Sequence, residues 1–341
     1  GVWDDADVRF AKLTLTTRRF PGLVATGVAV LALSACSSSS LPTLTGFAAV
    51  RDQAARTESA ASDRATQLAE VATDCASCSA ALRAVASASH ERLEALGGLW
   101  DPWGGTPPEG ASAPAAVSEA PTDVSAFVAW LARTATRDLE IAADTNRTSA
   151  DEARTLSAAA LGRYASAVTI AQAYGIDLDA GLDQALLVND RVNAASRQGV
   201  QTWSIDLFDA PGISASFAPS GKDLASSQEL SSAVATWDCT ASTLPQAQVS
   251  AGTLSDAYAV SGELLARADV ALRAGAADTR TPRCTLGFLD APSLASNLLA
   301  ADSAMLASNS SDVRAAGASA ALADIQQWAP RTSLPALIGT R

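Results

Sequence analysis

The chain has 341 residues and a formal charge of −12 at neutral pH, from 36 acidic and 24 basic side chains. Hydrophobic residues make up 48 %, aromatics only 5 %, and there is one histidine. That balance speaks against a basic nucleic-acid surface and against intrinsic disorder, and it excludes any metal or haem site built on several histidines.

The amino end reads as an export signal. Arg18 and Arg19 precede an uncharged run from Phe20 to Ala35, in which Val24, Val28, Val30, Leu31 and Leu33 supply the apolar side chains. The run is shorter than the roughly 20 residues a transmembrane helix needs. A basic flank, a short apolar core and then small residues form the pattern of a secretory signal. The closing Leu33-Ser34-Ala35-Cys36, followed by Ser37 to Ser40, resembles a bacterial lipoprotein signal. That resemblance implies acylation of Cys36, which becomes the first residue of the mature chain, and an anchor in the membrane. Residues 1–35 are then the signal peptide and 36–43 a flexible tether. Residues 1–15 make a long n-region, compatible with a translation start further in. Removing 1–35 takes away four basic and three acidic residues and leaves a formal charge of −13. Such an acidic body is expected to stand off anionic lipid on its tether.

Four further cysteines remain, Cys75, Cys78, Cys239 and Cys284. An exported chain with an even count points to two disulfides. Three pairings are open, and the local one, Cys75 with Cys78 and Cys239 with Cys284, is favoured. Cys75-x-x-Cys78 at a helix start is also the geometry of thioredoxin-like redox sites. No βαβ pattern surrounds it, so a structural role is the favoured expectation. Four thiolates around zinc would need a second close pair.

The body is periodic in helix fashion. Phe47, Val50, Ala54, Thr57, Ala61, Ala65, Leu68 and Ala72 predict a helix over 44–73. Leu82, Val85, Ser89, Leu93 and Leu96 predict a second over 75–96, with Asp74 as its cap and Gly97-Gly98 as its end. Residues 99–121 are rich in proline and glycine and read as a crossover, with Trp100 and Trp103 packed back on the helices. Thr122 or Asp123 opens a third helix to about 144, with Phe127, Val128, Leu131, Ala135 and Leu139 inward. Ser149 and Glu152 have capping-box spacing and open a fourth helix, which Gly175 ends after Leu156, Ala160, Tyr164, Val168 and Ala171. Beyond it, Asp177 opens a helix to Gly199. Residues 201–221, with Trp203, Ile205, Leu207 and Phe208, suggest a short extended piece without an obvious partner. Helices follow at 223–239, 252–274, 292–307 and 310–329. The tail from Thr332 to Leu337 is expected to lie extended across the second half. The fold expectation is all-α, two packed up-down bundles over 44–175 and 177–341.

No motif carries chemistry. There is no Gly-rich phosphate loop, no Gly-x-Ser-x-Gly and no His-Glu-x-x-His. A diiron bundle needs Glu-x-x-His on two helices, whereas Ser87 stands three before His90 and no second histidine exists. Glu58, Glu70, Glu91, Glu94, Glu140 and Glu152 read as solvated-face residues. His90 is placed to pair with Glu94 at i,i+4. Trp130, Trp237 and Trp328 read as core, and Trp203 with Phe208 as a possible ligand or partner groove between the halves. No catalytic residue, metal or cofactor is expected.

The stretch Ser89-His90-Glu91-Arg92-Leu93-Glu94-Ala95-Leu96-Gly97, the segment Asp312 to Trp328 and Leu334-Pro335-Ala336-Leu337 resemble exported actinobacterial proteins with a ferritin-like fold and no known function. The resemblance covers most of residues 44–341 and implies a ferritin-like domain without a metal centre. It implies no activity, because that group lacks the ligands of true ferritins. The expected function is a lipid-anchored, non-catalytic envelope protein that binds a partner or small ligand. Two alternatives stand beside it: an envelope enzyme with an unrecognised site, and a solute-binding lipoprotein, which would need two α/β lobes.

Overall fold

The computed structural model describes residues 43–73, 75–106, 108–109, 119–178, 203–210, 213–217, 221–251, 257–284 and 286–340, with the backbone alone at 203–223 and 248–251. The described residues all belong to one compact unit. The signal segment, Cys36, most of the tether and all but the first two residues of the helix expected at 177–199 lie outside the described residues.

The first four helices fall where their apolar spacing puts them: Gly46–Val71 (α1), Ala76–Ala95 (α2), Val124–Ala143 (α3) and Ala150–Tyr174 (α4). The ends follow local chemistry. Asp123 caps α3 by accepting from the Ala126 N–H at 2.8 Å. Ser149 and Glu152 form a reciprocal capping box, and Gly175 closes α4 in the left-handed region at φ 65°. At α2 the cap is Cys75 rather than the expected Asp74, and its Sγ accepts from Cys78 N at 3.2 Å.

The strand expectation needs correction. Residues Trp203–Ala210 (β1) pair antiparallel with Ile213–Phe217 (β2), Trp203 opposite Phe217 and Ile205 opposite Ala215. The partner is the next segment of chain, whose own alternation of Ile213, Ala215 and Phe217 with serines is short enough to pass unnoticed. This hairpin lies against the later helices. Among the described residues, everything else regular is helical.

The later helices are Gly221–Ser226 (α5), Gln228–Ala251 (α6), Ala257–Arg273 (α7), Ala291–Met305 (α8) and Ser311–Trp328 (α9). The helix expected at 223–239 is broken at Ser227, whose Oγ accepts from Leu230 N at 3.2 Å and starts α6. It then runs far past residue 239, through Pro245. Proline has no N–H to give the carbonyl four residues back, here that of Ala241. The Ser261 hydroxyl of α7 donates to that carbonyl at 2.6 Å in a buried contact. Tertiary structure supplies the bond that the local sequence removes. Ser261→Ala leaves the buried carbonyl without this donor, and a loss of about 1–3 kcal/mol in urea denaturation is expected; a change below a few tenths would show that the proline needs no such support.

Helix α1 packs along α2, α3 along α4, and α2 against α4; α6 packs along α7, α8 along α9, and α6 against α8. The two groups meet where α9 lies on α3 and α4. Alanine lines these seams: Ala54, Ala61, Ala65, Ala135, Ala142, Ala160 and Ala167 are fully buried. Small side chains let backbones approach closely, so the interior is dense with few aromatics. Trp237 and Trp328 are fully enclosed and Trp130 nearly so. Trp100 and Trp103 are half-buried on the crossover. Among the described residues no helix is long and apolar enough to cross a membrane.

The tail after α9 departs from expectation by reaching the first group. The Ile338 N–H donates to Ala158 O at 3.2 Å, and the Gln172 amide donates to Pro330 O at 3.3 Å, both on α4. Gly339 stands against Ser303 of α8. The tail thus crosses from one helical group to the other.

Candidate functional site

The main correction to the sequence reading lies in the core. Glu58, expected on a solvated face, is fully buried, as are Arg92 and Arg163, and Asp138 is 1 % exposed. One of the four comes from each of α1, α2, α3 and α4. Arg163 Nε donates to Glu58 Oε1 at 2.7 Å, and its Nη1 donates to Asp138 Oδ2 at 2.8 Å. Arg92 Nε donates to the other Glu58 oxygen at 2.9 Å. The half-buried Arg137 adds two bonds to Asp138 Oδ1, at 2.9 and 2.7 Å. Burial by itself lowers the Arg163 pKa, but the Glu58 and Asp138 charges outweigh it and the net shift is upward. For Arg92 burial dominates and the shift is downward despite Glu58. A guanidinium starts so high that both remain charged.

A second node repeats the layout with different groups. Trp237 of α6 donates from Nε1 to Asp302 Oδ1 of α8 at 2.8 Å. Arg267 of α7 holds Asp324 of α9 in a two-pronged pair at 2.9 and 3.0 Å. The Arg267 guanidinium also sits over the Trp237 ring, 5.3 Å from its centre. Here two carboxylates face one guanidinium. Burial first, then the Asp324 charge beside it, pushes the Asp302 carboxyl well above the usual carboxylate range, against the pull of Arg267. Asp302 therefore keeps its proton to higher pH than an ordinary carboxyl does, in a node that has one guanidinium for two carboxylates.

The sequence carried a signal for at least four of the charged residues. Ala54, Glu58, Ala61 and Ala65 follow the inward period of α1, as do Leu131, Ala135, Asp138 and Ala142 in α3. Val85, Ser89, Arg92 and Leu96 do the same in α2, and Val260, Leu264, Arg267 and Ala271 in α7. Charged residues at such positions default to the surface in any reading that uses hydrophobicity alone. The solvated-face expectation for Glu58 fails for this reason.

Arg314, at the start of α9, joins the two groups. Its Nη1 donates to Ala142 O at 3.0 Å, Thr148 O at 3.1 Å and Thr148 Oγ1 at 3.0 Å. These acceptors include a carbonyl at the C-terminal end of α3, where a cation is favoured. The nearby Ser311 hydroxyl accepts from Thr145 N at 3.1 Å.

A cleft of about 440 Å³ lies over the first node, between α2, α4 and residues 329–336. Arg92, Ser166 and Thr169 line it together with Arg331, Thr332 and Ser333 of the tail. Arg92 spans the distance from node to cleft: its Nη2 donates to Ser89 Oγ at 2.9 Å and Ser166 Oγ at 3.3 Å, and its Nη1 to Ala336 O at 3.4 Å. The tail reaches this depth because residue 162 is glycine; a Cβ there would overlap the Ala336 carbonyl oxygen. Gly162→Ala is expected to lift the tail and expose it to limited proteolysis while the helices persist by circular dichroism. Unchanged cleavage would show that the tail is held elsewhere.

Of the residues singled out in the sequence, the cysteines pair as favoured, Cys75 with Cys78 and Cys239 with Cys284, with Cα separations of 5.2 and 5.3 Å. Trp203 and Phe208 both stand in β1, where only the backbone is described. Cys36 lies outside the described residues. His90 is exposed and lies 3.4 Å from Glu94 as expected. Glu70, Glu91, Glu94 and Glu140 are exposed and Glu152 is half-buried in its capping box. Among the described residues no three His, Cys, Asp or Glu side chains gather as metal ligands.

The fold and its interior define a helical protein whose polar centres are internal ion pairs. No family model matches the chain, and neither the curated proteins nor the solved structures searched gave a match.

Proposed function

We propose that this chain is a lipid-anchored, non-catalytic protein of the cell envelope, built as two packed ferritin-like bundles, that binds a small ligand or partner. Cys36 carries the anchor and the acidic body stands on the extracytoplasmic face. The observation that carries the non-catalytic reading is the place of Arg163. In ferritin-like carboxylate proteins each helix of the bundle sends ligands to a metal. Here each of four helices also sends one group to a common interior point, but α2 and α4 send guanidinium groups. The carboxylates of Glu58 and Asp138 are thereby neutralised by the protein itself. The cleft beside Arg92, with hydroxyl and backbone groups on its walls, supports the binding role. The two-lobed α/β solute-binding alternative finds no support in a described sheet of one hairpin.

Two measurements test the reading. Full-length protein dialysed against iron(II) or manganese(II) should show no saturable site at micromolar metal. A near-stoichiometric site abolished by E58Q or D138N would replace the proposal with a metalloenzyme. In expressing cells an alkyne-tagged fatty acid should label the protein, and Cys36→Ala should remove both label and membrane fractionation; label that persists in the variant would refute the anchor.

A further inference from the structure

The Cys75–Cys78 disulfide differs from Cys239–Cys284 in ring size and in what it joins. Its two sulfurs are unequal: Cys75 is half-buried, whereas Cys78 is 3 % exposed. An external thiolate therefore has one sulfur to attack. The bond spans a sequence separation of 3, against 45 for Cys239–Cys284. In the chain-entropy account such a small ring restrains the unfolded state far less than the long loop. Nor does it join separate elements, since Cys75 is the cap of α2 and Cys78 lies in its first turn. That end of α2 is already fixed to α1 by the buried Ser79 hydroxyl, which donates to Ala69 O at 3.1 Å.

The surroundings also suit the open form. Cys78 Sγ lies 3.4 Å from the Ala173 carbonyl of α4. A disulfide sulfur has no hydrogen to give that acceptor, but a Cys78 thiol does. Cys75 Sγ lies 3.2 Å from the Cys78 N–H and 3.3 Å from Ser77 Oγ. Both can donate to a thiolate at Cys75, which the helix N-terminus favours further. Dithiol-state partners are thus in place before the bond opens.

We propose that Cys75–Cys78 is a reversible thiol–disulfide exchange site whose substrates are thiols and dithiols of the envelope. An external thiolate attacks Cys75 Sγ and forms a mixed disulfide. The Cys75–Cys78 bond breaks and Cys78 leaves as a thiolate that takes up a proton. A second external thiol then attacks the mixed disulfide. The outside pair leaves oxidised by two electrons and the protein holds two thiols. The reverse sequence oxidises the protein at the expense of an external disulfide. This goes beyond the binding role proposed above and does not depend on it, nor on the anchor.

The oxidised full-length protein contains its own reference, the Cys239–Cys284 bond. Equilibrated in graded glutathione buffers and mapped by alkylation, Cys75–Cys78 should open at a thiol-to-disulfide ratio at least tenfold below that of Cys239–Cys284, with the helical signal retained. Glutathione disulfide should then trap Cys75 in the Cys78→Ser variant at least tenfold faster than Cys78 in Cys75→Ser. Ser77→Ala should move the pH profile of Cys75 alkylation upward, a readout that a purely structural bond would not supply. Opening of both bonds together, or opening of Cys75–Cys78 only with loss of helix in the wild-type protein, would overturn the proposal.

Discussion

Replacing Arg163 with methionine should cost about 3–5 kcal/mol of folding stability, the largest single-site loss expected in this protein. The methionine fills most of the volume but leaves Asp138 without its shared partner and Glu58 with Arg92 alone. Removing one member of a buried pair strands the others in a medium that solvates them poorly. The whole node behaves differently. A variant in which Glu58, Arg92, Asp138 and Arg163 all become apolar residues of similar volume should lose far less than the summed single losses, because no fully buried charge is stranded and the half-buried Arg137 can turn to water. Urea denaturation of the single and fourfold variants measures this. A single-variant loss under 1 kcal/mol would show that water reaches the node and screens it. The fourfold variant also tests what the node specifies. Alanine seams fit one another in several registers, whereas four groups meeting at one point fit in one. Broadened unfolding in a variant of near-normal stability is the expected sign.

Asp302 and Asp324 should respond oppositely to the same change. Asp302 accepts from Trp237, and burial and the neighbouring Asp324 charge raise its pKa well above the ordinary carboxylate range. An aspartate in the unfolded chain titrates near 3.9. Between that value and the raised folded one, the native state binds the extra proton. Stability from this group is then complete below about pH 4 and falls as pH rises through the raised value. Asp302→Asn replaces the protonated acid with a neutral group of the same shape that can still accept from Trp237. It should change little at pH 4 and add about 1 kcal/mol once the pH passes the raised value, which flattens the pH dependence. Asp324→Asn instead takes the two-pronged partner from Arg267 and should cost about 3 kcal/mol. The cost falls at the low end of the range for such pairs because Asp302 is then free to ionise beside the same guanidinium. Denaturation curves from pH 4 to 8 distinguish the two, and equal losses would refute the upward shift of Asp302.

Arginine outnumbers lysine by 22 to 2 in this chain, and the interior shows a use for that bias. Arg163 bridges carboxylates from two helices through different nitrogens, and Arg314 gathers backbone carbonyls from the end of α3 and from the link to α4. Lysine offers one compact charge and no planar fork. The same side chain therefore serves as the cation in both nodes and as the tie between the helical groups.

The sequence by itself determined the first four helices, several of the caps and most of the inward faces. Ser149 with Glu152, Asp123, Ser310 and Gly175 act within a few residues of themselves, so their effect is written locally. The favoured cysteine pairing was legible for the same reason in Cys75–Cys78, where the partners are near neighbours. What only the tertiary structure decided is every feature that needs a distant partner. Pro245 continues a helix because Ser261 serves its orphaned carbonyl. The tail enters a groove because Gly162 has no side chain. Glu58, Arg92, Asp138 and Arg163 are buried because each neutralises another from a different helix. Periodicity marks the inward position of a charged residue, but whether it lies inside depends on a counter-charge tens of residues away. No local pattern contains that information.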